Sequence, residues 1–291
     1  MKPPPFEYRR PESVEEALGV LAEAGDDAKV LAGGQSLIPL LAFRMIRPEM
    51  LVDISRLNEL DHVTLEEGIL SVGALTTHRR IELTESLATR CPAIREAVRN
   101  IGHVAIRNRG TVGGSMAHAD PAAEWPVLAL VLEAEFQVQS AKESRVVPAA
   151  EMFVGYMQTG LRSDELLTGM RFKLPAPKAG AAFVEVARRH GDFAMGGAVA
   201  VLALEQGKVV HARVGVMSAA LTPVRSEESE LLLMGEEPID ELLAEAAERV
   251  SGAVDPLDDV HAPAEYKRHL AKVTTRRALR AARDRAKEAG G

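Results

Sequence analysis

Two glycine doublets constrain this chain more than any other feature: Gly33-Gly34 within Ala32-Gly33-Gly34-Gln35-Ser36, and Gly113-Gly114 within Thr111-Val112-Gly113-Gly114-Ser115. Each segment ends in a small hydroxyl residue, and the first follows the short apolar stretch Lys29-Val30-Leu31. Paired glycines let backbone N–H groups turn toward a ligand with no Cβ in the way. Successive amides of this kind form an anion-binding nest, to which a hydroxyl adds a donor. Two such nests suit the two phosphates of a dinucleotide, provided that segments far apart in the sequence fold against each other. The spacing is not Gly-x-Gly-x-x-Gly, so a Rossmann unit is not expected.

Local patterning divides the rest into α+β units. Residues 13–24 read as a helix with Ser13 as N-cap, Glu16 as its capping-box partner, and Val14, Ala17, Leu18 and Leu21 on one face. Residues 29–32 and 50–54 read as strands, and 37–43 as a helix whose first turn tolerates Pro39. Residues 63–65 and 69–72 flank Glu67-Gly68 as a hairpin. Helices are expected over 77–87 and 91–100, an apolar run over 125–132, and strands over 135–139, 144–147 and 166–174. Pro175-Ala176-Pro177-Lys178-Ala179-Gly180 is the best linker. Beyond it come strands over 181–189, 198–205 and 209–217, with a turn at Gln206-Gly207-Lys208, then helices over 239–250 and 266–287. The expected organisation is a two-lobed unit, 1–177, with lobes of about 1–56 and 57–177. A smaller α+β unit, 178–287, follows, built on a three-stranded antiparallel sheet.

Composition excludes several classes. The chain is 46% hydrophobic and 26% charged over 291 residues, an ordinary globular balance and too long for one small domain. Its single cysteine, Cys91, rules out an internal disulfide, a cysteine zinc site and iron–sulfur ligation, and reads as a small buried hydrophobe. No signal-peptide h-region follows Met1-Lys2-Pro3-Pro4-Pro5, and no apolar run approaches the ~20 residues of a membrane span, so a cytoplasmic location is expected. A net charge of −7 argues against nucleic-acid binding. The acidic stretch 227–259 and the basic stretch 267–287 read as complementary faces of one unit. His78, His103, His118 and His190 are not spaced as a metal site, and no Ser–His–Asp arrangement is readable.

The segments KVLAGGQSLIPLL (29–41) and IRNRGTVGGSMAHADPAAEWP (106–126) resemble the flavoprotein (medium) subunits of the molybdenum hydroxylases, the carbon monoxide dehydrogenase and xanthine dehydrogenase superfamily. Phe6-Glu7-Tyr8, Ala264-Glu265-Tyr266-Lys267 and Arg276-Arg277-Ala278-Leu279 extend the resemblance from end to end. It implies a two-lobed FAD-binding domain of the vanillyl-alcohol-oxidase/PCMH type followed by a flavoprotein C-terminal domain, with FAD as cofactor. The implied role is electron transfer from 2Fe–2S clusters of a small partner subunit to an external acceptor. Substrate oxidation would belong to a large molybdopterin subunit, the whole forming a dimer of heterotrimers. No residue of this chain is expected to be catalytic.

The resemblance also implies roles residue by residue. Ala32, Gly33, Gly34, Gln35 and Ser36 would cradle the pyrophosphate, with Leu37 opening a helix whose N-terminal amides add positive charge. Thr111, Gly114 and Ser115 would contact the pyrophosphate and ribityl chain, with Ala117 nearby. Glu124 takes the acidic position at the ribose or adenine end, Leu167 an apolar contact near the adenine, and Ile101 an apolar position against the flavin ring. Asp192 and Phe193 would meet the ring from the C-terminal unit, the aromatic stacking and excluding water. Related flavoproteins often carry Tyr at the position of Phe193, so a hydroxyl is missing here. Arg107, Arg109, Arg188 and Arg189 flank the ring edge and are expected to be interface donors. The alternative, a stand-alone FAD-dependent oxidase or reductase of the same superfamily, would need acid–base groups of its own, and none is readable.

Overall fold

Ser13 opens the first helix, α1 (Val14–Ala24), as the capping pattern requires: its hydroxyl accepts the Glu16 amide at 3.1 Å. The Glu16 carboxylate takes the amide of Glu12 at 2.7 Å, one residue earlier than in the usual reciprocal box. The computed structural model describes residues 2–290. In it α1 buries Ala17, Leu18 and Leu21 against a parallel sheet of β1 (Glu7–Arg9), β2 (Ala28–Leu31) and β3 (Met50–Asp53), ordered β1-β3-β2. The first glycine loop leaves the end of β2 and enters α2 (Leu37–Ala42), a helix of under two turns.

The second lobe is an antiparallel sheet faced by short helices. Its strands are β4 (Val63–Glu66), β5 (Ile69–Gly73), β6 (Glu135–Gln139), β7 (Ser144–Pro148) and, after a small hairpin of β8 (Phe153–Gly155) and β9 (Gln158–Thr159), β10 (Leu166–Lys173). The order β4-β5-β10-β6-β7 makes β10 the centre, and a bulge between Leu167 and Gly169 bends it. The helices are α3 (His78–Leu83), α4 (Glu85–Arg90), α5 (Pro92–Asn100), α6 (Val104–Arg107), α7 (Val112–His118), α8 (Glu124–Val131) and α9 (Ala149–Met152). The helix expected over 77–87 is therefore two: Thr84, extended at φ −74 and ψ 98, ends α3, and α4 starts afresh. Trp125, Phe136 and Phe172 are the largest side chains in this core, and each is fully buried.

The C-terminal sheet has a strand more than the patterning showed. β11 (Gly180–Ala187), β12 (Ala194–Glu205) and β13 (Lys208–Met217) are joined by β14 (Val224–Arg225), too short to carry an alternation of its own. Helices α10 (Glu227–Leu233), α11 (Asp240–Ala253) and α12 (Ala264–Gly290) cover one face. The acidic and basic stretches do meet here: Arg280 and Arg283 of α12 pair with Asp240 of α11 at 2.7 and 2.6 Å, and Lys272 pairs with Glu248. The other face of the sheet enters the core of the second lobe through Phe183, Val199, Val201 and Met217. Glu96 of α5 fastens the same junction, accepting the Phe183 amide at 2.9 Å and pairing with Arg285 of α12.

Candidate functional site

The two glycine segments touch. A Cβ built on Gly33 would lie 2.1 Å from the carbonyl oxygen of Arg109 and 2.9 Å from Cα of Gly110, so backbone lies directly on backbone. Gly34 turns at φ +73, a left-handed conformation that costs glycine nothing. The amides of Gly33, Gly34, Gln35 and Ser36 donate to no protein acceptor among the described residues. The Ser36 hydroxyl, at the N-cap position of α2, makes no capping bond either. Ala32, Gly33, Gly34 and Leu37 are half-buried, and Gln35 and Ser36 are exposed. A short anion-receiving stretch is what these residues offer, and the amides of the loop supply it rather than a long helix.

The second segment is built differently from the nest expected of it: it is the first turn of α7. Thr111 is its N-cap, its hydroxyl accepting the Gly114 amide at 3.1 Å. Val112 donates to Thr76 at 2.9 Å, Gly113 to Ala74 at 3.0 Å and Ser115 to Thr111 at 3.0 Å, so these amides are spent within the protein. Gly113 is required for packing, since a Cβ there would come within 2.6 Å of Ala74. Ala74 in turn donates to Thr168, inside the β10 bulge, at 3.0 Å, which ties the segment to its neighbour Leu167. Leu167 is itself buried in the core of the second lobe. Ser115 is half-buried and Ala117 exposed on α7.

At the other end, the loop after β11 rests on the turn after α5. Gly191, at φ +88, leaves only 2.8 Å between a built Cβ and the carbonyl oxygen of Gly102. Gly191 and Gly102, which make that contact, are the chain neighbours of Asp192 and of Ile101. Phe193 is 61% exposed, so it is a surface aromatic and not part of a core. Val104, Arg109, Arg188 and Arg189 are exposed with it. Arg107 is not: it is buried, bonded to Glu82 and to the carbonyls of Ile101 and Gly102, which corrects the expectation of an interface donor at that position.

Glu124 is buried at the first position of α8, 8% exposed. Burial, then the nearby carboxylates of Glu185 and Asp120, push its carboxyl well up. Glu185 lies on β11, on the face that carries Phe183 toward the second lobe. Burial pushes it up to about 7, and its Oε2 has no partner among the described residues. Nothing in the sequence singles out Glu185, because strand alternation marks a charge on an inward face only once the sheet's two faces are known. His78 packs on Gly110 and accepts from Trp125 Nε1 at 3.1 Å. Burial and the Arg107 charge push it down to about 4, so it is neutral at physiological pH. Burial likewise pushes the Cys91 thiol up to about 12, leaving it inert. Among the described residues, no His, Cys, Asp and Glu side chains cluster as metal ligands, and no helix is long and apolar enough to cross a membrane.

Residues 4–177 match the FAD binding domain in molybdopterin dehydrogenase, and 181–282 match the CO dehydrogenase flavoprotein C-terminal domain. The chain is 41% identical to subunit alpha of the 6-hydroxypseudooxynicotine dehydrogenase complex of Paenarthrobacter nicotinovorans, covering 99% of this chain and 97% of that one. It is 41% identical to caffeine dehydrogenase subunit beta of Pseudomonas sp. strain CBB1, covering 98% and 97%. Among solved structures, the carbon monoxide dehydrogenase of Hydrogenophaga pseudoflava, in a form lacking the Mo-pyranopterin moiety, superposes with a TM-score of 0.95 at 36% identity, over 98% of this chain and 99% of that one.

Proposed function

The chain belongs to the FAD-binding medium subunits of the molybdenum hydroxylases, and from that premise we propose that it is the electron-transferring subunit of such a complex. It stands between 2Fe–2S clusters of a small partner and an acceptor outside the assembly, while a large molybdopterin subunit oxidises the substrate. The assembly is a dimer of heterotrimers in the cytoplasm. Bound FAD supplies the redox chemistry, taking up electrons singly and releasing them in pairs. Residues 1–177 receive it, and 178–287 contribute the loop at the ring end.

The observation that carries this reading is the run of uncommitted amides from Gly33 to Ser36, whose first residue lies against Arg109 and Gly110. Those amides and the Ser36 hydroxyl bind the pyrophosphate, with Ala32, Gln35 and Leu37 shaping the cradle. Thr111 and Gly114 hold the facing turn in place, so that Ser115 and Ala117 line its other side. Glu124 receives the ribose or adenine end and Leu167 the adenine. Ile101, Asp192 and Phe193 receive the ring and keep water from one face of it. The exposed Arg109, Arg188 and Arg189 form the docking face for the cluster-bearing partner.

Purification of the chain with its flavin tests the reading. Acid or heat should release free FAD stoichiometric with the polypeptide, as expected of a non-covalently held cofactor. The FAD-loaded chain alone should oxidise none of the organic substrates that molybdenum hydroxylases take. Turnover by the single chain would instead favour the stand-alone oxidase or reductase. Charge reversal at Arg188 or Arg189 should weaken assembly without emptying the FAD site.

A further inference from the structure

The two backbone contacts of the site, Gly33 on Arg109 and Gly191 on Gly102, are joined by a stretch containing one buried arginine. The Arg107 side chain is 7% exposed. Its Nε donates to Glu82 at 3.0 Å. Its Nη1 lies 3.0 Å from the carbonyl oxygen of Gly102, 3.1 Å from that of Ile101 and 3.4 Å from that of Arg99. These carbonyls belong to the end of α5 and the turn beyond it, where backbone acceptors have no helical partner. Gly102 stands at φ +48 in that turn, and its carbonyl is the one on which Gly191 rests. The same Glu82 oxygen, Oε2, also accepts from Arg79 Nη1 at 2.9 Å. Burial pushes the Glu82 carboxyl up, but the bonds from Arg79 and Arg107 outweigh it and keep the group below its usual range.

We propose that Arg107 is a positioning residue for the ring end of the FAD site: by gathering the Ile101 and Gly102 carbonyls onto one guanidinium it fixes the turn that supports the Gly191–Phe193 loop. Enclosed by the protein, it acts through that turn. Arginine is required because its planar fork serves a carboxylate and several carbonyls together, whereas a lysine ammonium is a point donor on a flexible stem. This proposal rests on the FAD-binding reading above. The two fail separately: a wild-type chain that binds neither FAD nor ADP removes that reading, whereas the proposal here concerns the difference between those ligands.

ADP shares the pyrophosphate and adenine of FAD and lacks the ring. In the purified chain, Arg107→Lys should raise the Kd for FAD about tenfold while that for ADP changes less than about twofold. The visible flavin band should lose fine structure as water reaches the ring. Parallel weakening of FAD and ADP, no change in either, or a wild-type flavin spectrum overturns the proposal. If Arg107→Lys does not fold, Glu82→Gln decides: it keeps the guanidinium and loosens its anchor. The same split is then expected at about threefold, and equal effects on the two ligands overturn the assignment.

Discussion

The amides of Gly33, Gly34, Gln35 and Ser36 are given to no protein acceptor among the described residues, whereas those of Val112, Gly113, Gly114 and Ser115 are all spent on Thr76, Ala74 and Thr111. In sequence the two segments look alike, each a glycine doublet closed by serine. In space they do opposite work. The first offers donors to a ligand, and its doublet serves a left-handed turn at Gly34 and a close approach at Gly33. The second is a rigid backing: Gly113 lets α7 sit on Ala74, and Gly114 leaves room for the capping hydroxyl of Thr111. A glycine pair therefore announces close backbone approach, but whether a ligand or another strand of the same protein makes that approach depends on where the amides point.

The contrast can be broken most directly at Gly33. Gly33→Ala places a methyl 2.1 Å from the Arg109 carbonyl oxygen, so the two segments must part. FAD affinity should fall at least about a hundredfold, read by flavin titration, and retention of normal affinity would show that the contact does not shape the site. Gly113→Ala should act on stability first. Overpacking against Ala74 should lower the unfolding free energy of the FAD-free chain by about 3 kcal/mol in urea, more than Gly33→Ala does.

A pH series sharpens the comparison on the buried side of the second segment. Unfolded Glu185 loses its proton near its usual pKa of about 4.3, while the folded group keeps it to about 7. Between those values the folded state binds the extra proton, so stability is full below the window, falls as pH rises through it, and is flat above. Glu124, also raised, adds a slope of the same sign. Allowing for partial exposure, Glu185→Gln should remove about 2 kcal/mol of that fall, measured by denaturant midpoints at about pH 5 and about pH 8. The smallest effects come from the hydroxyls. Thr111→Val loses the α7 cap and should cost about 1 kcal/mol of stability with little change in FAD affinity per folded molecule. Ser36→Ala should do the reverse, weakening FAD about threefold at unchanged stability. Identical profiles for these two variants would erase the distinction between the loops.

Much of this was legible in the residues because it is local. Ser13 caps a helix through a neighbour three positions away, Glu67-Gly68 turns between adjacent strands, and Pro175 to Gly180 interrupts both periodicities. Elsewhere tertiary contacts outweigh local preference. The helix expected over 77–87 breaks at Thr84. Thr111 to Ser115 looked like an open nest until α7 and Thr76 claimed its amides. Arg107 sits among arginines that face solvent and looked like one of them, because nothing within its own segment announces that Glu82 and the end of α5 enclose it.

By itself, then, the sequence determined the longer helices and strands, the glycine turns and the family to which the chain belongs, since each of these is carried by short motifs of residues near one another in the chain. Only the tertiary structure decided that Gly33 lies on Arg109, that Glu185 comes near enough to the buried Glu124 to push its carboxyl up, and that one guanidinium gathers the carbonyls beneath the ring-end loop. Such contacts join segments with no local preference for each other. They form because burying the faces of the two lobes and the C-terminal sheet in one core leaves each buried polar group only the partners that the packing brings within reach.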